Sequence, residues 1–210
     1  SEEGTNDIET IKKQVKKYEL DGYSLYIYFL PFNNADEDKY SDINDQEFPL
    51  MVELKSQNKD IYFEAIHTAY LAERIALKLN MNDKAVKGCC YYYKIAEKMI
   101  TNEDGSSTSI MEYYDFPQDM KDLIEECKNG IYGSKESCVV LTSNKVIKSI
   151  LLANKDFKDK KIPYNSIIDL IFDKFYNSDI LNNCDISIRE LRIMKNTYIE
   201  ENLYYDFLRW

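Results

Sequence analysis

Phe63-Glu64-Ala65-Ile66-His67-Thr68-Ala69-Tyr70-Leu71-Ala72-Glu73 is the stretch that decides the fold class of this chain. Across residues 60 to 80, Phe63, Ile66, Tyr70, Ala72, Ile75, Ala76 and Leu79 recur at helical spacing, which predicts a helix with a broad apolar face. His67 lies inside it and is the one histidine among 210 residues.

The same period persists on both sides. Phe48, Leu50, Met51 and Leu54 predict a short preceding helix. Asn82-Asp83 is a start signal for a helix through Ala85, Val86, Cys89, Tyr93, Ala96 and Ile100, and Thr101 to Ser109 reads as a polar loop. Pro117 suits a first helical position, and Gly130 suits a C-terminal cap after Cys127-Lys128-Asn129. Ser134 is placed to cap a long helix containing Val139, Val140, Leu141, Val146, Ile150 and Leu151. Pro163 opens another through Ile167, Ile168, Leu170, Ile171 and Phe175. Ser187-Ile188-Arg189-Glu190 is a capping box ahead of Leu191, Met194, Tyr198 and Leu203. From Glu47 onward the prediction is an all-α helical bundle.

Residues 1–40 read differently. Asn6-Asp7-Ile8-Glu9 has capping-box form, and Ile8, Ile11, Val15 and Tyr18 make one apolar stripe. Asp21-Gly22 turns into a candidate strand, Tyr23 to Phe32, and residues 33–47 are an acidic, polar linker. The expected organisation is a helix-plus-strand appendage over 1–40 and a helical domain over 45–210. No internal repeat is present.

Composition narrows the function classes. Lys and Arg number 27 against 37 Asp and Glu, a formal charge of −10. Such a chain is repelled by nucleic-acid backbones and anionic lipid, so neither is an expected partner. Five cysteines without a Cys-x-x-Cys pattern predict buried reduced thiols and a reducing cytoplasm. No segment reaches the roughly 20 apolar residues that span a bilayer. There is no Gly-rich phosphate loop, Gly-x-Ser-x-Gly elbow or Cys-His nucleophile arrangement.

Four strings, in order, resemble the HD-domain phosphohydrolases, above all the cytoplasmic domain of the seven-transmembrane HD receptors, a family of cyclic dinucleotide phosphodiesterases. They are Phe48-Pro49-Leu50-Met51-Val52-Glu53-Leu54, then Ala65 to Ala76 around His67, then Ser134-Lys135-Glu136-Ser137-Cys138-Val139-Val140-Leu141, and Cys184 to Leu191. The resemblance covers about residues 45 to 201. It implies an HD-like bundle whose family members hold two divalent metal ions, iron or manganese, with His67 matching the first metal histidine.

At the remaining ligand positions the chain departs from the family. The His-Asp dyad falls on Tyr93-Lys94, the Gly-Lys after it on Ala96-Glu97, and the late aspartate on Asn144. No further histidine exists to serve a second metal. Exchanging a carboxylate for an ammonium turns attraction into repulsion at the metal's own position. At an effective dielectric near 20, two unit charges about 4 Å apart interact by about 4 kcal/mol.

The relic positions are therefore His67, Tyr93, Lys94 and Asn144, with no catalytic residue and no metal or other cofactor expected. Lys94 is expected to stand in for the cation, paired with Glu73 or Glu97. The rival is a phosphate site of Lys94, His67 and Asn144. His67 is expected to be partly buried and hydrogen-bonded to Asn144 or Tyr93. In the run Tyr91-Tyr92-Tyr93 at least one ring must pack in the core.

The expected function is a catalytically inactive regulatory or interaction module of a larger, membrane-anchored signalling protein, with an unknown protein partner. One alternative is a sensor for a cyclic dinucleotide or other phosphate ligand; another is a residual metal-dependent phosphodiesterase.

Overall fold

The computed structural model describes residues 39–156, 163–176 and 183–201. The capping box at residues 6–9, the candidate strand at 23–32 and Leu203 lie outside them. Among the described residues the elements are α1 (Pro49–Gln57), α2 (Lys59–Lys78), α3 (Asp83–Tyr92), β1 (Met99–Thr101), β2 (Ser107–Ser109), α4 (Ile110–Tyr113), α5 (Gln118–Lys128), α6 (Lys135–Asp156), α7 (Tyr164–Tyr176) and α8 (Ile188–Glu201).

The helix starts follow the local chemistry. Pro49 opens α1, where a missing N–H costs nothing. The Asn58 and Asn82 side chains accept from the backbone N–H groups of Ile61 and Ala85, each at 3.1 Å, and so begin α2 and α3. Ser134 Oγ accepts from Ser137 N at 3.1 Å ahead of α6. Pro117 sits one residue outside α5, as its cap, and Gly130 takes φ +67° two residues beyond the end of that helix.

At α8 the capping box is reciprocal: Ser187 N donates to Glu190 Oε2 at 2.8 Å, and Glu190 N donates to Ser187 Oγ at 3.2 Å. Lys135 at the head of α6 also donates to Glu190, at 2.8 Å. That ammonium, and then the Ser187 hydroxyl, hold the Glu190 carboxyl down at about 2. A depressed folded-state pKa gives stability that is complete above the ordinary glutamate value of 4.5 and is lost as pH falls toward 2. Glu190→Gln is therefore expected to cost about 1 kcal/mol at neutral pH. In urea denaturation that deficit should shrink below pH 4.5 and vanish near pH 2.

α2 is the centre of the bundle and packs against α1, α3, α6 and α8. Its buried face matches the expected one at Ala72, Ile75 and Ala76 and differs elsewhere. Ala65, Ala69, Ala72 and Ala76 are inside with Tyr62, Thr68, Leu71 and Ile75, whereas Phe63 is 40% exposed and Ile66 and Tyr70 are only partly buried. The alanines win the interior because four helices must approach α2 closely, and small side chains permit that where large ones do not. Gly88 serves the same end on α3: a Cβ there would lie 2.6 Å from Asn44 Oδ1 and 2.7 Å from the end of the Met120 side chain.

Two further expectations are corrected. α3 stops at Tyr92 and does not run to Ile100, and the segment from Thr101 to Ser109 is not merely a loop. Met99, Ile100 and Thr101 pair antiparallel with Ser109, Thr108 and Ser107. The turn between them supplies the reason. Asn102 N donates to Ser106 O at 2.8 Å, Gly105 takes φ +81°, and the Asp104 carboxylate accepts from Ser106 N at 2.9 Å. A turn of such defined chemistry imposes pairing on its flanks.

Tyr91, Tyr92 and Tyr93 are all buried. Tyr92 donates to Ile43 O at 2.5 Å and packs edge-on against Phe48 and tilted against Phe116. All five cysteines are buried. No described helix is long and apolar enough to cross a membrane.

Candidate functional site

Four elements, α2, the turn after α3, the end of α5 and α6, meet at a cleft of about 620 Å³ lined by Ile61, Glu64, Tyr93, Lys94, Glu97, Lys128, Leu141, Asn144 and Lys148. Helical spacing explains the selection. Ile61, Glu64 and, deeper in, Thr68 lie on one face of α2, and Leu141, Asn144 and Lys148 on one face of α6. Tyr93 and Lys94 come from the turn where α3 has just ended.

At the middle of the cleft is an ion pair between the Lys94 ammonium and Glu64 Oε1, whose side chains are only 16% and 14% exposed. The same oxygen accepts from Asn144 Nδ2 at 2.6 Å and faces Lys148 Nζ at 3.7 Å. The second Asn144 donor contact is to Thr68 Oγ1, at 3.2 Å. Burial pulls the Lys94 pKa below the ordinary lysine value, while the bond to Glu64 pulls it back up. Its ammonium also sits 5.6 Å from the centre of the Tyr93 ring, a cation–π contact. Burial pushes the Tyr93 hydroxyl up, so it stays protonated.

Of the four residues singled out from sequence, the fold brings Tyr93, Lys94 and Asn144 to this cleft. His67 is not among the lining residues; its half-buried ring stacks against Phe63, centroids 6.5 Å apart and planes 20° apart. The expected partner of Lys94 is also corrected. Glu73 is engaged by Lys87 at 3.1 Å, and Glu97 lines the cleft, but the carboxylate paired with Lys94 is Glu64. The antiparallel run of α2 and α3 is the cause. Lys87 in the middle of α3 lies beside Glu73, so Lys94, seven residues on, lies beside a carboxylate well back along α2.

Glu64, Lys128 and Lys148 were not legible as site residues. The available signal was positional: Glu64 and Thr68 share a helix face one turn apart, as do Asn144 and Lys148. Their charges had nothing in the sequence to mark them off from ordinary solvated positions.

The donor set does not suit a pair of divalent ions. The cleft offers Glu64, Glu97 and the neutral Asn144 oxygen, with three lysines around them. Among the described residues no group of three His, Cys, Asp or Glu is placed to hold a metal. Transition-metal centres of this kind need several imidazole and carboxylate donors, and an ammonium among them repels the ion.

This helical arrangement is that of an HD-like domain. The likeness is carried by two crystal structures of the HD domain of the L. monocytogenes phosphodiesterase PgpH. The first has a TM-score of 0.54 at 17% identity, over 73% of this chain and 96% of that one. The second, in complex with cyclic-di-AMP, has the same score and identity, over 75% and 97%. No family model matches the sequence, and no curated protein matches it either.

Proposed function

We propose that this chain is a non-catalytic HD-like domain, acting as a regulatory or interaction module of a larger, membrane-anchored signalling protein. The observation that carries this reading is the Lys94–Glu64 pair. It places a fixed positive charge where the sequence resemblance implies a metal-binding aspartate, and His67 lies off the cleft lining. A hydrolase that activates water through two metals has no equivalent means of generating a nucleophile here. Membrane anchoring rests on the resemblance alone.

The purified full chain, supplemented with manganese or ferrous iron, is expected to retain less than stoichiometric metal and to leave cyclic-di-AMP uncleaved. Stoichiometric metal together with turnover that disappears in His67→Ala would instead establish the residual phosphodiesterase.

A second reading is supported by the three lysines on the cleft, Lys94, Lys128 and Lys148. Together with the Asn144 amide they suit a phosphate-bearing ligand, a cyclic dinucleotide among them. One of the similar PgpH structures holds cyclic-di-AMP. Calorimetry with wild type and Lys94→Ala separates this reading from the first, since binding that Lys94→Ala abolishes belongs to a sensor.

A further inference from the structure

Glu64 Oε1 is the point on which the donors of the cleft converge. Lys94 from the turn after α3, Asn144 Nδ2 at 2.6 Å and Lys148 Nζ at 3.7 Å all face this one atom. Two ammoniums and an amide directed at a single anionic oxygen is the donor pattern of a phosphate site. Here the oxygen belongs to the protein. Asn144, only 6% exposed, is committed to this arrangement by its second bond, to Thr68.

The charge balance points the same way. Lys94, Lys128 and Lys148 stand against Glu64 and Glu97, three cations to two anions, and withdrawing Glu64 leaves two cations in excess. Lys128 is partly spent on Glu125, at 3.0 Å. Lys94 and Lys148 are the charges that a ligand would gain. A cleft of about 620 Å³ has room for a phosphate and for a group attached to it.

We propose that the cleft is a phosphate-class anion site closed by an internal competitor: Glu64 takes the place of a ligand oxygen, and binding requires it to release Lys94 and Asn144. The proposal rests on the sensor reading above and adds the element that regulates it. Ligand affinity is then reduced by the fraction of time that Glu64 holds its donors, and whatever draws Glu64 away raises it.

The test is a titration of inorganic phosphate into the full chain by calorimetry, with sodium chloride at matched ionic strength as the control. Glu64→Gln is expected to bind phosphate at least about ten-fold more tightly than wild type. Adding Lys148→Ala to that variant should remove most of the gain. Because Glu64→Gln leaves Lys94 without its counter-ion, urea denaturation checks that the variant is folded. Glu64→Asp, which keeps the charge and draws the carboxylate back by one methylene, is the second variant, with a smaller gain expected.

Folded Glu64 variants that bind phosphate no better than wild type overturn the proposal. If wild type itself binds through Lys94 and no Glu64 variant improves on it, the internal competitor is refuted while the sensor reading stands. If neither wild type nor any variant binds, both fall. A gain confined to the Glu64 variants supports the proposal.

Discussion

Glu64→Leu combined with Lys94→Met is expected to match or exceed the wild-type stability, although Glu64→Leu alone should cost about 3 kcal/mol. Both side chains are largely out of water, so each charge gave up hydration that its partner only partly restores. Removing one partner leaves the other stranded. Replacing both with apolar groups of similar volume removes the debt altogether.

The two single variants are not expected to be equal. Glu64→Leu strips Lys94, Asn144 and Lys148 of their common acceptor, whereas Lys94→Met leaves Glu64 with Asn144 and Lys148. In the double variant Asn144 keeps its contact with Thr68. Lys148, whose side chain is 55% exposed, returns to solvent at little cost. Urea denaturation at neutral pH reads all three variants. A double variant clearly less stable than wild type would show that the pair contributes net stability.

The triple variant Tyr93→His, Lys94→Asp, Asn144→Asp is expected to bind divalent manganese where wild type does not. The substitutions rebuild an imidazole and two carboxylates in a cleft that already contains Glu64. Without metal the new carboxylates repel Glu64 and Glu97, by about 4 kcal/mol for each pair near 4 Å at an effective dielectric of 20. The metal-free variant should therefore melt early and recover steeply as the ion is added. Manganese at about 100 times its dissociation constant returns about 2.7 kcal/mol. Thermal melts and calorimetric titration check this, and His67→Ala in the same background reports whether His67 can swing to the cleft. A folded triple variant whose melting point ignores manganese would mean that the cleft lacks the geometry of a metal site, whatever its residues.

Much of the bundle was legible because helix starts are local. Asn82, Ser134 and the Ser187–Glu190 box act within one turn of chain, so their side chains declare the structure they make. The hairpin at Met99–Ser109 escaped because its strands are three residues each, too short for a period to register, and its turn chemistry was read as loop. The buried face of α2 was misjudged in part, for another reason. Hydrophobicity ranks Phe63 above Ala65, but the crowding that favours alanine is created by helices distant in sequence.

At the site, Tyr93, Lys94 and Asn144 were found through departures from a resembled pattern, and their meeting in one cleft followed. Their real partner, Glu64, was hidden. An ion pair between one helix and the turn that ends its neighbour depends on how far the two helices are slid along each other, and that offset is set by packing along their whole length.

The Lys94–Glu64 contact also responds to warming and to brine differently from its surroundings. Added salt screens exposed pairs such as Lys78–Glu200 but scarcely reaches one so sheltered. As temperature rises, the hydration that the two charges surrendered loses its value, while the gain from apolar burial levels off. Near the melting point the desolvation cost of this polar contact between α2 and the end of α3 is therefore smaller than at room temperature.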